Sequence, residues 1–410
     1  MDEGERYSQV IELHGHIIDS LIFPRVLDAI LDSGNEFVIH RADIGRRKGE
    51  TSFAQIEIMA PTPEALHSII SQVQQVGALV VESANAQLVP APAHGVFPEH
   101  FYATTNIPME VRIGGEWIPV DFSEMDCGIV VADGRATCTP MSDVRAGELV
   151  VVGHDGIRVR PQERPRSPSP TFAFMSSAVS TEKPKSVLVA EVAREMQEAR
   201  ARGGRILVVA GPALIHTGSG EHLRRLIEAG YVQVLFAGNA LAAHDVEAAF
   251  YGTSLGVSLA KDTLHEHGHQ HHLRAINRIR AAGGLRQAVE TGVLRRGVMH
   301  ACIVHGVEYV LAGSVRDDGP LPDVITDALE AQRRMRTLVR QGIDVALLLS
   351  TMLHSVATGN LLPAGVRAVC VDINPAVVTK LVDRGSFQTT GLVMDVASFL
   401  RELLEHLGLR

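Results

Sequence analysis

Paired cysteines, aromatic side chains and surplus basic charge are all scarce in this chain of 410 residues. The four cysteines, Cys127, Cys138, Cys302 and Cys370, form no C-x-x-C pair, which excludes a zinc ribbon and gives no sign of a disulfide framework. The formal net charge of −9 excludes the broad positive field that attracts nucleic acid or an anionic membrane surface. We therefore expect a reducing compartment, no nucleic acid partner and small-molecule ligands.

Long apolar runs are also missing. The run VALLLSTML is far shorter than the roughly 18 residues that a bilayer crossing needs. The N-terminal MDEGERY is acidic and has no apolar segment of the signal-peptide type. These absences predict a cytoplasmic protein without a membrane partner. Aliphatic residues are plentiful, because 46% of the chain is hydrophobic and only 4% is aromatic, and the length suggests two or three domains.

Residues 1–95 alternate between strand and helix periods in the order β-α-β-β-α-β, which is typical of a ferredoxin-like α+β domain. Pro24 and the pair Thr62 and Pro63 suit the starts of the two helices, and Gly34 and Gly77 suit their ends. The charged hairpin tip GRRKGE could bind an anion or could simply be solvated. Residues 96–160 lose the helical period, and their Gly-Gly and Asp-Gly turn signals predict a small all-β domain.

The segment 161–170 is rich in proline and predicts a linker. Residues 171–410 then repeat continuous apolar strands that alternate with amphipathic helices, one of which we predict to begin at about Asp323. This pattern predicts an α/β domain of the Rossmann-like type, with a parallel sheet covered by helices on both faces. Ligands of such sheets bind at the carboxyl ends of the strands, so the loops there are the candidate site.

No G-x-G-x-x-G motif occurs in these loops, yet a glycine-free equivalent is present. A strand that ends at Ser350 leads into a turn and a helix, and the next strand ends at Asp372, 22 positions later. This is close to the roughly 20 positions that separate a phosphate-binding turn from a ribose-binding acid in dinucleotide folds. The alternative is that Asp372 caps the following helix, a role that Asn374 and Pro375 would also fit.

The stretch HEHGHQHH, His265 to His272, holds five histidines in eight residues, and its first five letters match the zinc-protease pattern H-E-x-x-H. Such a site needs both imidazoles on one continuous helix and a third ligand. Gly268 interrupts the pattern here, and a regular helical period begins only at about His271. We therefore predict a loop and no metal site.

The helix that follows is predicted to have Leu273, Ile276 and Ile279 on one face and to end at Gly283 and Gly284. Its first residues, His271 and His272, would lie at an N-terminus that disfavours imidazolium. We expect both rings to be neutral and able to move a proton near pH 7, although capping and packing roles would also explain them.

Long motifs run through the whole chain, among them TTNIPMEVRI, EMDCGIVV, VVAGPALIHTGSG, LFAGNALAAHDVEAAFYGTSLG, GHQHHLRAINRI, AGSVRDDGPLPDV and DINPAVVTKLVDRG. With them the chain resembles the conserved-domain family named after lysine-oxoglutarate reductase/saccharopine dehydrogenase, whose archaeal and cyanobacterial members include NAD-dependent ornithine cyclodeaminases. In AGNALAAHDVE it is also similar to the NAD-binding fold of deoxyhypusine synthase. The resemblance implies a lyase that converts L-ornithine to L-proline and ammonia and recycles NAD within the site. We also expect a homo-oligomer, a dimer or a tetramer.

The resemblance implies NAD-binding positions in the loops that follow the strands. These positions are Asn239, Ala240, Asp318, Thr351, Met352, Leu353, His354, Asp372, Asp395 and Val396. The strand-and-turn spacing points independently to the turn at 351–354 and to Asp372, so two lines of reasoning agree there.

Cyclisation of ornithine requires a base for the amine protons, a grip on the carboxylate and a dry pocket around the cofactor. The candidates for the base are His271, His272 and Asp245. Arg112 is the candidate for the carboxylate, and Asn106, Glu124 and Asp126 are the candidates for the amines. Cys127 could be a packing residue or a nucleophile, but redox-neutral cyclisation requires no thiol.

Two other classes of function remain open. The chain could be an NAD-dependent oxidoreductase that acts on a saccharopine-like or other amino-acid amine and releases NADH. It could also be a non-catalytic regulatory protein that binds NAD and an amino acid, with the ferredoxin-like domain as the sensor. Net NADH production would identify the oxidoreductase, and an absence of turnover with any diamine would favour the sensor.

Overall fold

The computed structural model describes residues 6–18, 21–46, 50–80, 84–160, 185–255, 257–258, 270–317, 319–383 and 389–409. The chain divides into two compact units, Met1–Thr171 and Phe172–Arg410. The predicted linker at 161–170, the tip of the GRRKGE hairpin and His265, His267 and His269 lie outside the described residues. Within the described ranges, no helix combines the length and the apolar character that a membrane span requires.

The first unit begins with a four-stranded sheet and two helices. Its elements are β1 (Tyr7–Gly15), α1 (Ile22–Asp32), β2 (Glu36–Asp43), β3 (Ser52–Ala60), α2 (Pro63–Gln75) and β4 (Leu79–Val80). The sheet order is β2-β3-β1-β4 and the pairings are antiparallel, which is the ferredoxin-like arrangement that the sequence predicts. Thr62 caps α2 by accepting the backbone N–H of Ala65 on its side chain, also as predicted.

A seven-stranded sheet completes the first unit. Its strands are β5 (Gln87–Pro90), β6 (Met109–Ile113), β7 (Glu116–Asp121), β8 (Cys127–Ala132), β9 (Arg135–Pro140), β10 (Leu149–Val152) and β11 (Ile157–Val159). The order is β11-β6-β7-β9-β8-β10-β5. Asp133 and Gly134 both have positive φ in the turn between β8 and β9, as the Asp-Gly signal predicts. Strand β5 lies before residue 96, within the range predicted for the ferredoxin-like domain, but it pairs with a strand of the predicted all-β domain. The boundary between these two domains stays a prediction.

The second unit is built on a parallel six-stranded sheet. Its strands are β12 (Ile206–Ala210), β13 (Val234–Gly238), β16 (Glu308–Ala312), β17 (Val345–Leu349), β18 (Arg367–Asp372) and β19 (Thr389–Val393), and a separate short pair is β14 (Thr253–Ser254) and β15 (Val257–Ser258). Alternate residues of β12 enter two different apolar cores: Val208 lies in one and Val209 in the other. The sheet is therefore covered on both faces, as continuous apolar strands predict.

The helices of the second unit are α3 (Lys185–Ala201), α4 (Ala213–His216), α5 (Gly220–Glu228), α6 (Asn239–Tyr251), α7 (His271–Ala281), α8 (Leu285–Glu290), α9 (Val298–Val304), α10 (Ala328–Arg340), α11 (Leu353–Leu361), α12 (Pro375–Asp383) and α13 (Val396–His406). The predicted start of α7 at His271 is confirmed. Of the three apolar residues predicted to share one face of this helix, Ile276 and Ile279 are buried, together with Ala275, whereas Leu273 is 53% exposed.

The predicted start of α10 at about Asp323 is also wrong. The helix begins at Ala328, and Asp327 is its N-cap, because the Asp327 carboxylate accepts the backbone N–H of Glu330. Asp323 instead accepts the N–H of Leu285 at 2.9 Å and so caps α8, a helix 38 residues earlier in the chain.

Candidate active site

The strand order of the second unit defines where a ligand can bind. From β12 the sheet extends through β13 to β16 on one side, and through β17 and β18 to β19 on the other. The chain therefore changes direction between β12 and β17, and ligands of open parallel sheets bind at such a switch point, beyond the carboxyl ends of the strands. There the N–H of Gly211 donates to the carbonyl of Leu349 at 2.9 Å. A Cβ on Gly211 would lie 2.0 Å from the carbonyl oxygen of Ser350, so only glycine allows the two turns to approach this closely.

The turn after β17 has the properties of a phosphate site. Helix α11 begins there, and its N-cap residue Met352 offers no side-chain acceptor to the first N–H groups. Ser355, in the first turn, is fully buried, and its Oγ has no hydrogen-bond partner within the described residues. A buried hydroxyl without a partner is costly, and an uncapped helix N-terminus favours anions. The predicted cofactor residues 351–354 lie at this turn, so the chain fits a dinucleotide here.

Asp372 lies at the carboxyl end of β18, the strand next to β17. Its Oδ1 accepts the N–H of Asn374 at 2.8 Å, and the side chain of Asn374 in turn accepts the N–H of Ala376 at the start of α12. The capping role that was the alternative for Asp372 therefore falls to Asn374. A carboxylate has capacity for further donors, so the turn bond leaves Asp372 able to accept a hydrogen bond from a ribose hydroxyl.

Asn239 begins α6 directly after β13, and Ala240 follows it in the same turn. The Asn239 side chain donates to Asp317 Oδ1 at 3.2 Å and accepts the N–H of Leu321 at 3.1 Å. It is therefore tied to the loop after β16, which also contains Asp318, a predicted cofactor residue outside the described residues.

His354 also lies near this loop. A Cβ on Gly238, the last residue of β13, would be 3.0 Å from His354 Cε1, so the imidazole packs over the backbone at the start of α6. Burial lowers the pKa of His354, and the nearby Asp317 opposes that shift. The structure thus brings together the turns after β13, β16 and β17, which sequence spacing alone could not show.

The two remaining predicted cofactor positions follow β19. Asp395 caps α13, because its carboxylate accepts the N–H of Ser398 at 2.8 Å, and Val396 is 4% exposed and belongs to the apolar core. These roles are structural, and contact of either residue with NAD stays a prediction.

A second group of polar side chains surrounds Glu247 on α6. Glu247 is completely buried, and its Oε1 accepts the hydroxyl of Thr253 at 2.9 Å. Its Oε2 lies 2.9 Å from His244 Nδ1 and accepts the N–H of Leu255 at 3.2 Å. Thr253 Oγ1 is also 2.8 Å from His271 Nδ1. A buried carboxylate is tolerated only when it is well hydrogen-bonded, and here His244, Thr253 and the backbone of Leu255 all bond to one carboxylate.

Further imidazoles lie beside this carboxylate. His216, at the end of α4, has Nδ1 2.7 Å from Ser254 Oγ, and its ring centroid is 4.6 Å from that of His244. The rings of His244 and His272 are 6.3 Å apart. Burial lowers the pKa of His216, His244 lowers it further, and Glu247 opposes both shifts. We call His216, His244, Glu247, Thr253, Ser254, His271 and His272 the histidine–glutamate cluster.

Of the three predicted bases, two belong to the histidine–glutamate cluster and one does not. His271 is bonded to Thr253 and stacks on Tyr251 at 4.7 Å between ring centroids, and His272 is on the same helical turn. Both carboxylate oxygens of Asp245 instead accept N–H groups at the start of α9, each at 2.8 Å. Burial raises the pKa of Asp245 to about 6, against the opposing effect of these bonds. The structure therefore gives Asp245 a capping role, and its role as a base stays a prediction.

The predicted substrate residues lie in the first unit. Thr104 joins two of their segments, since its hydroxyl donates to the carbonyl of Glu124 at 2.6 Å and its own carbonyl accepts the N–H of Asp126 at 3.2 Å. Asn106 and Glu124 are buried, and Asp126 has a φ of 61°. Such buried polar groups and strained backbone are common at binding sites.

The other candidates of the first unit are placed differently. The Arg112 guanidinium donates through Nε to the carbonyl of Gly115, in the turn that follows its own strand, at 3.3 Å. Cys127 is 1% exposed and belongs to the apolar core of the seven-stranded sheet, in agreement with a packing role. Binding of ornithine by Arg112, Asn106, Glu124 and Asp126 stays a prediction.

Among the residues that the structure describes, no three His, Cys, Asp or Glu side chains are arranged to hold a metal ion. The histidines of the H-E-x-x-H match lie outside that set. The prediction that they hold no catalytic metal therefore remains to be measured.

Sequence patterns did not predict a functional role for His216, His244, Glu247 or Thr253. A signal for two of them was present, because His244 and Glu247 are three residues apart in an otherwise alanine-rich helix and therefore share one face. The same pattern is typical of a solvated helix face, and only the tertiary structure shows that Glu247 is fully buried.

The fold places this chain among the proteins with a Rossmann-type parallel sheet, and the switch point of the sheet fits a dinucleotide. Three family models together match most of the chain. They are the LOR/SDH bifunctional enzyme conserved region over residues 8–107, the first region of the arginine dihydrolase ArgZ-like C-terminal part over 108–189, and the ArgZ-like C-terminal Rossmann fold over 190–403.

Curated relatives agree with these family models. A protein of Methanopyrus kandleri named ornithine cyclodeaminase is 54% identical over 401 residues, 97% of each chain. The bifunctional arginine dihydrolase/ornithine cyclodeaminase AgrE of Nostoc sp. is 44% identical over 98% of this chain and 58% of its own length. The chain therefore belongs to the ornithine cyclodeaminase family with ArgZ-like C-terminal domains.

Solved structures show the same similarity. The apo structure of ArgZ, an arginine dihydrolase from the ornithine-ammonia cycle in cyanobacteria, has a TM-score of 0.85 and 40% identity, covering 98% of this chain and 58% of ArgZ. The ternary complex of AgrE with ornithine and NAD+ has a TM-score of 0.54 and 42% identity over the same shares of the two chains.

Proposed function

We propose that this protein is an NAD-dependent ornithine cyclodeaminase, an ammonia-lyase that converts L-ornithine to L-proline and ammonia. The observation that carries the proposal is that one Rossmann-type unit combines a switch point that fits a dinucleotide with the histidine–glutamate cluster around the buried Glu247. The two are joined by α6, which begins at Asn239 and carries Glu247 eight residues, or about 12 Å, further along its axis. The relatives named ornithine cyclodeaminase and the AgrE complex with ornithine and NAD+ support the same substrate and cofactor.

NAD, when bound, supplies a hydride acceptor for the α-carbon of the substrate and a hydride donor for the cyclic imine that precedes proline. The chain supplies the binding groups for it: the N–H groups at the start of α11, the hydroxyl of Ser355 and the carboxylate of Asp372. Asn239 and His354 order the adjoining turns through the contacts described above. The reaction is redox-neutral overall, because the hydride that leaves the substrate returns to its product.

Proton transfer falls to the histidine–glutamate cluster. The amines of ornithine are protonated near pH 7, and an amine must lose a proton before it can attack or before its carbon can be oxidised. His271 Nδ1 lies 2.8 Å from Thr253 Oγ1, and in the tautomer that is protonated on Nδ1 the lone pair that would accept this proton is on Nε2. We propose His271 as the general base, with His272 as the neighbouring imidazole that can carry the proton onward.

Replacing Asp372 by alanine should weaken NAD binding by about 1 to 3 kcal/mol, because a ribose hydroxyl would lose its charged acceptor. NADP should bind more weakly than NAD to the unchanged protein, since a 2′-phosphate would meet the same carboxylate. Calorimetric titration measures both effects. Asp327→Ala is a matched control, because the Asp327 carboxylate also accepts a backbone N–H but Asp327 is not a predicted NAD contact. Equal losses in the two variants would point to helix capping rather than ribose binding.

The proposed reaction is tested with purified protein, L-ornithine and NAD at a catalytic concentration. We expect proline and ammonia in equal amounts, more product than NAD, and no net NADH at 340 nm. Stoichiometric NADH would identify the oxidoreductase, and binding of ornithine without turnover would identify a regulatory protein. Lysine and 2,4-diaminobutyrate, assayed in parallel, define the chain length that the site accepts.

We also propose that the protein acts in the cytoplasm as a homo-oligomer, either a dimer or a tetramer. All four cysteines are in the described part of the chain and none forms a disulfide, which is compatible with a reducing compartment. Light scattering during size-exclusion chromatography measures the oligomeric state, and a monomeric mass would contradict that part of the proposal.

A further inference from the structure

The hydrogen bonds around Glu247 determine where the proton of each neighbouring group must be. A glutamate carboxylate only accepts hydrogen bonds. Glu247 Oε1 therefore takes the single hydroxyl proton of Thr253, at 2.9 Å. Since that proton is already used, Thr253 Oγ1 can only accept in its second contact, 2.8 Å from His271 Nδ1. His271 must then carry a proton on Nδ1, and in the neutral ring Nε2 holds the lone pair.

His244 is a second imidazole that donates to Glu247. Its Nδ1 lies 2.9 Å from Glu247 Oε2, so it donates to the carboxylate and is protonated. Oε2 also accepts the backbone N–H of Leu255, a donor that cannot reverse its direction. The backbone at Leu255 has a φ of 52°, a conformation that is rare for a residue other than glycine and occurs often near functional sites. Both carboxylate oxygens of Glu247 therefore accept hydrogen bonds: Oε1 from Thr253, and Oε2 from His244 and from the backbone of Leu255.

We propose that Glu247 is a positioning residue that acts through Thr253 to keep His271 in the tautomer with the proton on Nδ1 and the lone pair on Nε2. Glu247 also orients His244 directly. The consequence for catalysis rests on the proposed function, whereas the tautomer assignment rests on the hydrogen bonds of Glu247 as an ionised carboxylate. A carboxylate that orients the Nδ1–H of a catalytic histidine is known from serine proteases, where replacement by the amide imposes the wrong tautomer and lowers kcat by about 10⁴. Here a threonine hydroxyl is interposed.

The variant Glu247→Gln tests this arrangement because it keeps the size of the side chain but replaces one acceptor by an NH₂ donor. The N–H of Leu255 cannot reverse, so the amide oxygen must remain at the Oε2 position and the NH₂ group must face Thr253. Thr253 Oγ1 would then accept from the amide and donate to His271 Nδ1. His271 would switch to the tautomer with Nε2 protonated and lose its lone pair at the reactive nitrogen.

The measurement is histidine side-chain ¹⁵N NMR of the full-length protein, with His271 assigned by comparison with His271→Asn. We expect a protonated Nδ1 in the unchanged protein and a protonated Nε2 in Glu247→Gln, with kcat lowered about 100-fold and NAD affinity unchanged. Thr253→Val, which removes the hydroxyl at nearly constant volume, should release the tautomer preference. Thr253→Ser should retain it, and this rescue would not be expected if Thr253 served packing alone.

The proposal is overturned if His271 is protonated on Nε2 in the unchanged protein, or if its tautomer is the same in Glu247→Gln. Because Glu247 is buried, circular dichroism must first show that this variant is folded. If it is not folded, Thr253→Val and Thr253→Ser decide the question, and equal tautomers in that pair overturn the proposal. Failure of the proposed function has a different signature: the unchanged protein would form no proline while the tautomer pattern remained as expected.

Discussion

Replacing His271 by alanine is expected to lower kcat by about 10²- to 10⁴-fold, the range that general acid–base catalysis contributes. The structure provides the reason, since His271 is the imidazole whose Nδ1 is linked through Thr253 to the buried carboxylate of Glu247. The affinity for NAD should change little, because the predicted phosphate turn at α11 is formed by other residues. Steady-state kinetics with saturating ornithine measures kcat, and a titration of the same protein with NAD measures the affinity.

The matched control is the triple variant His265→Ala, His267→Ala, His269→Ala, which removes three imidazoles from the same histidine-rich stretch. We expect its turnover to change less than about threefold, or about 0.6 kcal/mol in the activation free energy. Activity should also be indifferent to a chelator. The prediction would be contradicted if the chelator abolished activity, zinc restored it, and the untagged protein contained stoichiometric zinc. These results would indicate a catalytic metal site in this stretch.

His272→Ala separates the two adjacent imidazoles. If His272 carries the proton onward from His271, its replacement should lower kcat at least tenfold, about 1.4 kcal/mol, but less than His271→Ala. A larger loss in His272→Ala than in His271→Ala would exchange their roles.

The order and type of the secondary-structure elements could be predicted from the sequence, because the apolar periods of strands and helices are local patterns. Strand β12 is a continuous apolar run, and the helix of His271 starts where a regular period starts. The errors arose where the deciding contact was distant. Asp323 and Asp327 are both aspartates just before an amphipathic run, and only the bond from Leu285 to Asp323 shows that the first of them caps a different helix.

In the candidate site, too, the parts set by local sequence could be predicted and the parts set by distant contacts could not. The turn at 351–354 and Asp372 follow from spacing along two neighbouring strands, which the sequence contains directly. The histidine–glutamate cluster could not be predicted, because His216 belongs to α4, Glu247 to α6, Thr253 to β14 and His271 to α7. The residue type also argues against predicting a buried Glu247, because glutamate is rarely buried completely and the sequence does not show which glutamate is the exception.

Gly211→Ala tests the switch point itself. We expect the free energy of unfolding to fall by about 3 kcal/mol, near the upper end of the usual cost of overpacking a filled interior. A Cβ at this position would lie 2.0 Å from Ser350 O and 3.0 Å from Thr351 Cβ, so the added methyl must displace the turn that leads into α11. Because this is the predicted phosphate turn, NAD affinity should fall at least tenfold, or about 1.4 kcal/mol.

The control for this variant is Gly220→Ala, which adds the same methyl group at the start of α5. There the nearest atom is Ile215 Cδ1 at 3.0 Å, the mobile end of a side chain, and the next is Val298 Cγ2 at 3.7 Å. Alanine is also the better helix former, so this variant should be close to neutral. Denaturant unfolding gives the stability of both variants, and calorimetry gives their NAD affinity. The two variants should differ because the backbone carbonyl of Ser350 cannot move aside as the terminal methyl group of Ile215 can. If Gly211→Ala matched Gly220→Ala in both measurements, the close approach of the turns after β12 and β17 would not be what shapes the cofactor site.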